Sequence, residues 1–179
     1  MSKSNVFDNV ELSKVSNIRL HIENNSTTID SIVDEIISPY CKDLDKYVAF
    51  IRDCLKDGEN PPTTSELEDF CLNLSTDLYF ASGRCEVLGI RDDISKAVWK
   101  EMYNSARADG TGTVADKDSF AELKAQQEQI VNVCYSRAYK IMKAKVESAQ
   151  EMLASCKKVL SHRMQEEALT NLNSGIGGY

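Results

Sequence analysis

No stretch of this chain approaches the roughly 18 consecutive apolar residues that a membrane-spanning helix requires. The opening residues also lack the apolar core of a secretory signal. Both absences point to a cytoplasmic protein with no membrane partner. Histidine is scarce: the two present, His21 and His162, are isolated from the cysteines. No C-x-x-C pair occurs, so the sequence offers no zinc-ligand spacing. There is no glycine-rich phosphate loop, no nucleophile elbow and no histidine pair at ligand spacing. The expectation is a protein without catalytic residues, metal or cofactor. The six cysteines, Cys41, Cys54, Cys71, Cys85, Cys134 and Cys156, fall on or near apolar helical faces and read as reduced core thiols.

What is present is helical periodicity. The 179 residues suit one ordinary domain, and an apolar share of 42% is enough for a real core. The longest signal begins at Thr113, which with Asp116 forms a capping box. Val131, Cys134, Ala138, Ile141, Ala149, Met152, Cys156 and Val159 then recur at helical spacing. One amphipathic helix from Thr113 to about Ala168 is predicted, of which residues 113–165 alone would span about 80 Å. A helix that long outruns a compact body of this size, which predicts a homo-oligomer.

The rest of the chain divides by its punctuation. Ile18, Leu20 and Ile22 alternate with polar residues, which predicts a short strand or extended arm within residues 1–27. From Thr28 the period turns helical through Ile29, Val33, Ile36, Tyr40, Leu44, Tyr47, Ile51 and Leu55, with Pro39 kinking or dividing the run. Residues 57–62 are a loop. Thr63 and Glu66 make a second capping box, and Leu67, Phe70, Leu74, Leu78 and Ala81 follow on one face. Gly89 is predicted to stop this helix, and Asp92 or Asp93 to start another that ends at Asp109. The short turn at residues 109–112 makes residues 92–168 an unequal helical hairpin. The predicted fold is an all-α bundle with a long C-terminal helix, an N-terminal arm at 1–27, a helical domain at 28–170 and a flexible tail at 171–179.

Charge is segregated. Residues 31–82 carry eleven acids and four bases, a net of −7, whereas residues 136–165 carry seven bases and two acids, a net of +5. These surfaces either face one another or remain available to partners, in spite of the overall charge of −7. Lys140, Lys143, Glu147, Glu151 and Lys158 form one solvated stripe. Arg84, Arg91, Lys96, Lys100 and Arg107 gather on the segments before it, with Trp99 and Tyr103 among them. Bases interleaved with aromatics suit single-stranded nucleic acid, with phosphates on the cations and bases on the rings. The alternative is that Trp99 and Tyr103 belong to a core stripe with Ile94, Val98 and Met102.

The segment Lys100 to Gly110 has the pattern Tyr-x-Ser-x-Arg-x-Asp-Gly with a base three positions before the Tyr. Ala115-Asp116-Lys117-Asp118 then opens the last long helix. This pattern resembles phage recombination mediators of the UvsY type over residues 96–165. The separation of the two motifs is shorter here, and the first 60 residues are additional. The resemblance implies a small helical, ring-forming bacteriophage protein that binds single-stranded DNA and helps load a recombinase onto DNA covered by single-strand-binding protein. Lys100 and Arg107 match basic positions of that pattern, and Lys96 joins them by helical proximity. The competing expectations are a helical adaptor or anti-defence inhibitor using the acidic 31–82 surface, and a structural component of a virion.

Overall fold

A computed structural model describes residues 12–176. They form four helices: α1 (Leu12–Lys56), α2 (Thr64–Asp109), α3 (Val114–Lys124) and α4 (Gln126–Ile176), with no strand among the described residues. The all-α expectation and the long C-terminal helix are both present. With 45, 46 and 51 residues, α1, α2 and α4 are rods each about 70 Å long.

The rods align through repeats of seven. On α2, Leu67, Leu74, Ala81, Leu88 and Ser95 are buried at steps of seven; so are Met142, Ala149 and Cys156 on α4, and Ile37, Leu44 and Ile51 on α1. A period of seven keeps an apolar seam facing a neighbouring helix along its length. α2 and α4 run antiparallel: Thr64 Oγ1 donates to Glu167 Oε1 at 2.7 Å at one end, and Asn132 Nδ2 donates to Ser95 Oγ at 3.0 Å towards the other. α1 lies antiparallel to α2, with Arg84 over the Tyr40 ring and the Phe50 ring edge-on to Phe70. Lys145 Nζ on α4 meets Asp45 Oδ2 on α1 at 2.6 Å. This half-buried pair is one place where the acidic and basic segments face each other.

Both predicted capping boxes are present. Thr63 Oγ1 accepts from the Glu66 N–H and the Glu66 carboxylate accepts from the Thr63 N–H; Thr113 and Asp116 do the same for α3. These bonds hold the carboxyls of Glu66 and Asp116 below the usual carboxylate range. The turn before α3 needs glycine at Gly112, where φ is +99° and a Cβ would lie 2.8 Å from Asp116 Oδ2.

Several boundaries differ from expectation. The helix stop at Gly89 does not occur, because α2 passes unbroken from Thr64 to Asp109. The buried stripe keeps its phase across Gly83 and Gly89, and packing on α4 outweighs the cost of about 1 kcal/mol per helical glycine. Gly89 serves a close approach instead: a Cβ there would sit 3.2 Å from Tyr139 Cε2 on α4. The extended arm is likewise corrected. The chain is helical from Leu12, so Ile18 and Ile22 stand one turn apart rather than on one side of a strand. Five residues are too few to separate a period of two from one of 3.6; residues 1–11 of the arm lie outside the described residues. α1 continues through Pro39, which is exposed and inside the helix.

The single helix from Thr113 is two helices. Ala125, at φ −93° and ψ 6°, ends α3, and α4 begins at the next residue. Neither glycine nor proline marks this joint. The cause is tertiary: Asp118 on α3 is held by Arg107 and Tyr103 of α2, and Ala121 and Ala125 are buried. At the other end α4 runs to Ile176, through most of the segment expected to be a flexible tail; Tyr179 lies outside the described residues. No proline or glycine intervenes before Gly175.

Cys41, Cys85, Cys134 and Cys156 are buried, Cys54 and Cys71 are half-buried, and all six thiols are free. Burial pushes the thiols of Cys41, Cys71, Cys85, Cys134 and Cys156 up, which disfavours the nucleophilic thiolate.

Candidate interaction site

Two concave surfaces lie on the half of α2 beyond Leu88. The first is a cleft of about 480 Å³ lined by Trp99, Lys100, Tyr103 and Asn104 of α2, Glu122 of α3 and Gln129 of α4. Trp99 and Tyr103 are half-buried and both line the cleft. Tyr103 Oη donates to Asp118 Oδ1 at 3.3 Å; burial and the Asp118 carboxylate together push its phenol up. The cleft exists because α3 turns back at Gly112 and leans on the end of α2 instead of continuing along α4.

The three bases singled out in the sequence share one face of α2, since steps of four and seven residues return nearly to the same direction. Lys96 and Lys100 are exposed and have no ion-pair partner among the described residues. Arg107 differs: its Nε forms a close ion pair with Asp118 Oδ1. Its charge is therefore committed within the fold, and Glu122 adds a further carboxylate to the rim of the cleft. Lys100 alone of the three lines the cleft.

The second surface is an apolar groove between α2 and α4, of about 590 Å³, lined by Arg91, Ile94, Ser95 and Val98 on one side and Glu128, Val131 and Tyr135 on the other. Ile94, Val98 and Val131 are 58%, 47% and 48% exposed. The core stripe proposed for Ile94, Val98 and Met102 is thus not a core in this chain; Met102 is exposed as well. The position of the groove explains this. Arg84 meets α1, and seven-residue steps from it reach Arg91 and Val98; Lys145 meets α1, and the same steps lead back to Ala138 and Val131. The groove is the prolongation of the seat that α1 occupies.

α1 does not follow it. The buried face of α1 begins at Val33, Ile29 is half-buried, and residues 22–28 are exposed throughout. Leu20 and Ile22 are 57% and 61% exposed. Within the groove, Glu128 Oε2 is buried and has no hydrogen-bond partner, a condition that costs about 1–3 kcal/mol for a polar atom. Beside it, Asn132 Nδ2 is satisfied by Ser95 Oγ and lies 3.4 Å from Asp92 Oδ1, which fixes the register of α2 against α4.

Sequence reasoning missed this groove. The signal was the second apolar stripe of α2, Val87, Ile90, Ile94 and Val98, which is phased away from Leu88 and Ser95. Among the described residues no group of three or more His, Cys, Asp or Glu is placed to hold a metal ion, and no helix is long and apolar enough to cross a membrane. No protein-family model, no curated protein and no solved structure matches the chain.

Proposed function

We propose that this protein is a non-catalytic helical assembly factor that works by docking an amphipathic helix of a protein chain into the α2–α4 groove. The observation that carries this reading is the exposure of Val98 and Val131 on the face that elsewhere receives α1, with Ile94 exposed beside them. Three apolar side chains lining a concave surface in water lose the transfer free energy of burial, of order 1.5–3 kcal/mol for each side chain of this size when fully covered. Contiguous apolar surface of this kind marks an interaction site. Helix-in-groove recognition needs little else: apolar anchors spaced at three and four residues, and a donor for the unsatisfied carboxylate. The test is a benzophenone side chain in place of Ile94, irradiated in cells that make the protein. A discrete adduct mapping to one helical segment is expected. Absence of any adduct ends this reading.

A second reading, an accessory protein of phage DNA recombination or replication that binds single-stranded DNA, is favoured by one observation. The Trp99 and Tyr103 rings line an open cleft beside Lys100, with Lys96 one turn away. Such a site takes phosphates on the lysines and stacks bases on the rings, and a recombinase and single-strand-binding protein would be its protein partners. Binding to a labelled oligonucleotide should be sequence-tolerant and weaken steeply with salt. Replacing Lys96 and Lys100 together by Ala should flatten the salt slope by about 0.7 per lost phosphate contact. No binding of the unmodified protein at low salt removes this reading and leaves the first untouched.

A further inference from the structure

Two unsatisfied surfaces on this chain fit one another. One is the α2–α4 groove; the other is the exposed stretch of α1 around Ile22. In the sequence Val15, Ile22, Ile29 and Ile36 stand at steps of seven, and the same stripe is seated from Ile29 onward. Before Ile29 its described member, Ile22, is 61% exposed. From Ile22 to Thr28 every residue of α1 is exposed, and a helical length without a packed face is marginal in water. The segment is thus an amphipathic helix lacking a groove, on a molecule whose groove lacks a helix.

We propose that a second copy of this chain supplies the occupant. In this arrangement the part of α1 before Ile29 of one protomer lies in the Ile94, Val98, Val131 and Tyr135 groove of its partner, and the exchange is reciprocal. This rests on the reading of the groove as a helix-docking site and names what docks there.

Three observations favour a second copy. First, the groove continues, through Val98 on α2 and Val131 on α4, the face on which α1 already packs, so a further length of the same helix suits it. Second, closing the groove with the chain's own segment means bending an unbroken helix between Ile22 and Ile29. That stretch contains no proline or glycine, the usual sites of a sharp bend. Exchange leaves both helices straight. Third, the charges are complementary: the groove carries Glu128, and the segment carries Lys14 and Arg19 in its sequence. Reciprocal exchange also closes the assembly as a twofold dimer, because each copy offers one segment and one groove.

The test uses the full chain, mixing unlabelled protein carrying a benzophenone side chain in place of Ile94 with isotopically labelled protein lacking it. Irradiation should give adducts that join a labelled to an unlabelled copy, mapping to residues 12–28. Replacing Ile22 by Asp in the labelled copy should cut that yield at least tenfold. Sedimentation of the unmodified chain should show a dimer at micromolar concentration, weakened at least tenfold by Ile22→Asp or Val98→Glu, with the helical circular dichroism of each variant retained. Adducts confined within single chains overturn the proposal in favour of closure by the protein's own helix. A strict monomer at about 100 µM also overturns it, as does a dimer indifferent to both substitutions. If adducts form in cells with another protein but not between purified copies, self-docking falls and the docking function of the groove survives.

Discussion

The α2–α4 pair is one antiparallel ladder with two unlike halves. From Leu67 to Leu88 on α2 and from Ala138 to Cys156 on α4, α1 covers the seam and the residues at core positions are nearly fully buried. Beyond them, from Ile90 to Met102 and from Ile130 to Val133, residues of the same apolar character stand in water. At the boundary the buried seam turns polar at Ser95 and Asn132, and the third helix leaves. Burial is a property of what lies alongside a face, so apolar side chains of the same character form a core in one half and a binding surface in the other.

Substitutions should separate the halves sharply. Leu74→Ala, in the covered half and fully buried, should destabilise the fold by about 2–5 kcal/mol, through lost transfer free energy and the cavity left behind. Val98→Ala, on the open half, should stay within about 0.5 kcal/mol of neutral in dilute solution. Urea denaturation of both variants checks this contrast. A large loss from Val98→Ala at low concentration would mean that the open half is already closed.

The two helical glycines of α2 give a smaller contrast. Nothing lies within 4 Å of a Cβ built at Gly83, so Gly83→Ala should stabilise by about 0.5–1 kcal/mol. At Gly89 the same change meets Tyr139 Cε2 at 3.2 Å, and the gain should be smaller; adding Tyr139→Ala should remove the penalty that Gly89→Ala carries. Additive effects of the Gly89 and Tyr139 substitutions would contradict the close approach.

The smallest expected effect is electrostatic and belongs to the covered half. Burial, with Asp43 nearby, raises the Asp77 carboxyl above its ordinary value. A raised carboxyl binds its proton more tightly in the folded chain, so its ionised form opposes folding at neutral pH. That penalty fades as pH falls through the folded value towards the ordinary carboxylate range. Asp77→Asn should therefore stabilise the protein near neutral pH and lose this advantage on acidification. Denaturation midpoints across that range measure the sign directly.

The elements were legible in the sequence wherever local chemistry sets them. Thr63 with Glu66 and Thr113 with Asp116 announced two helix starts, and each cap forms as its residues imply. Boundaries were illegible where a distant contact decides. Gly89 looks like a stop until Tyr139 is seen against it, and Ala125 looks like helix interior until Asp118 is seen held by Arg107 and Tyr103. The candidate site divided in the same way. The exposed placement of Lys96 and Lys100 on one face of α2 could be read from spacing, whereas the commitment of Arg107 to Asp118 could not. The groove escaped notice because Ile94 and Val98 have the composition of a core, and only the departure of α1 before Ile29 reveals that nothing covers them.

Residue-resolved hydrogen exchange at low and high protein concentration tests this central contrast most directly. Amides of residues 67–88 should exchange slowly at both concentrations, protected by the three-helix core. Amides of residues 20–28 should exchange rapidly in dilute protein and become protected as concentration rises, together with a loss of solvent access to Ile94 and Val98. Protection of residues 20–28 that is the same at every concentration would contradict the account.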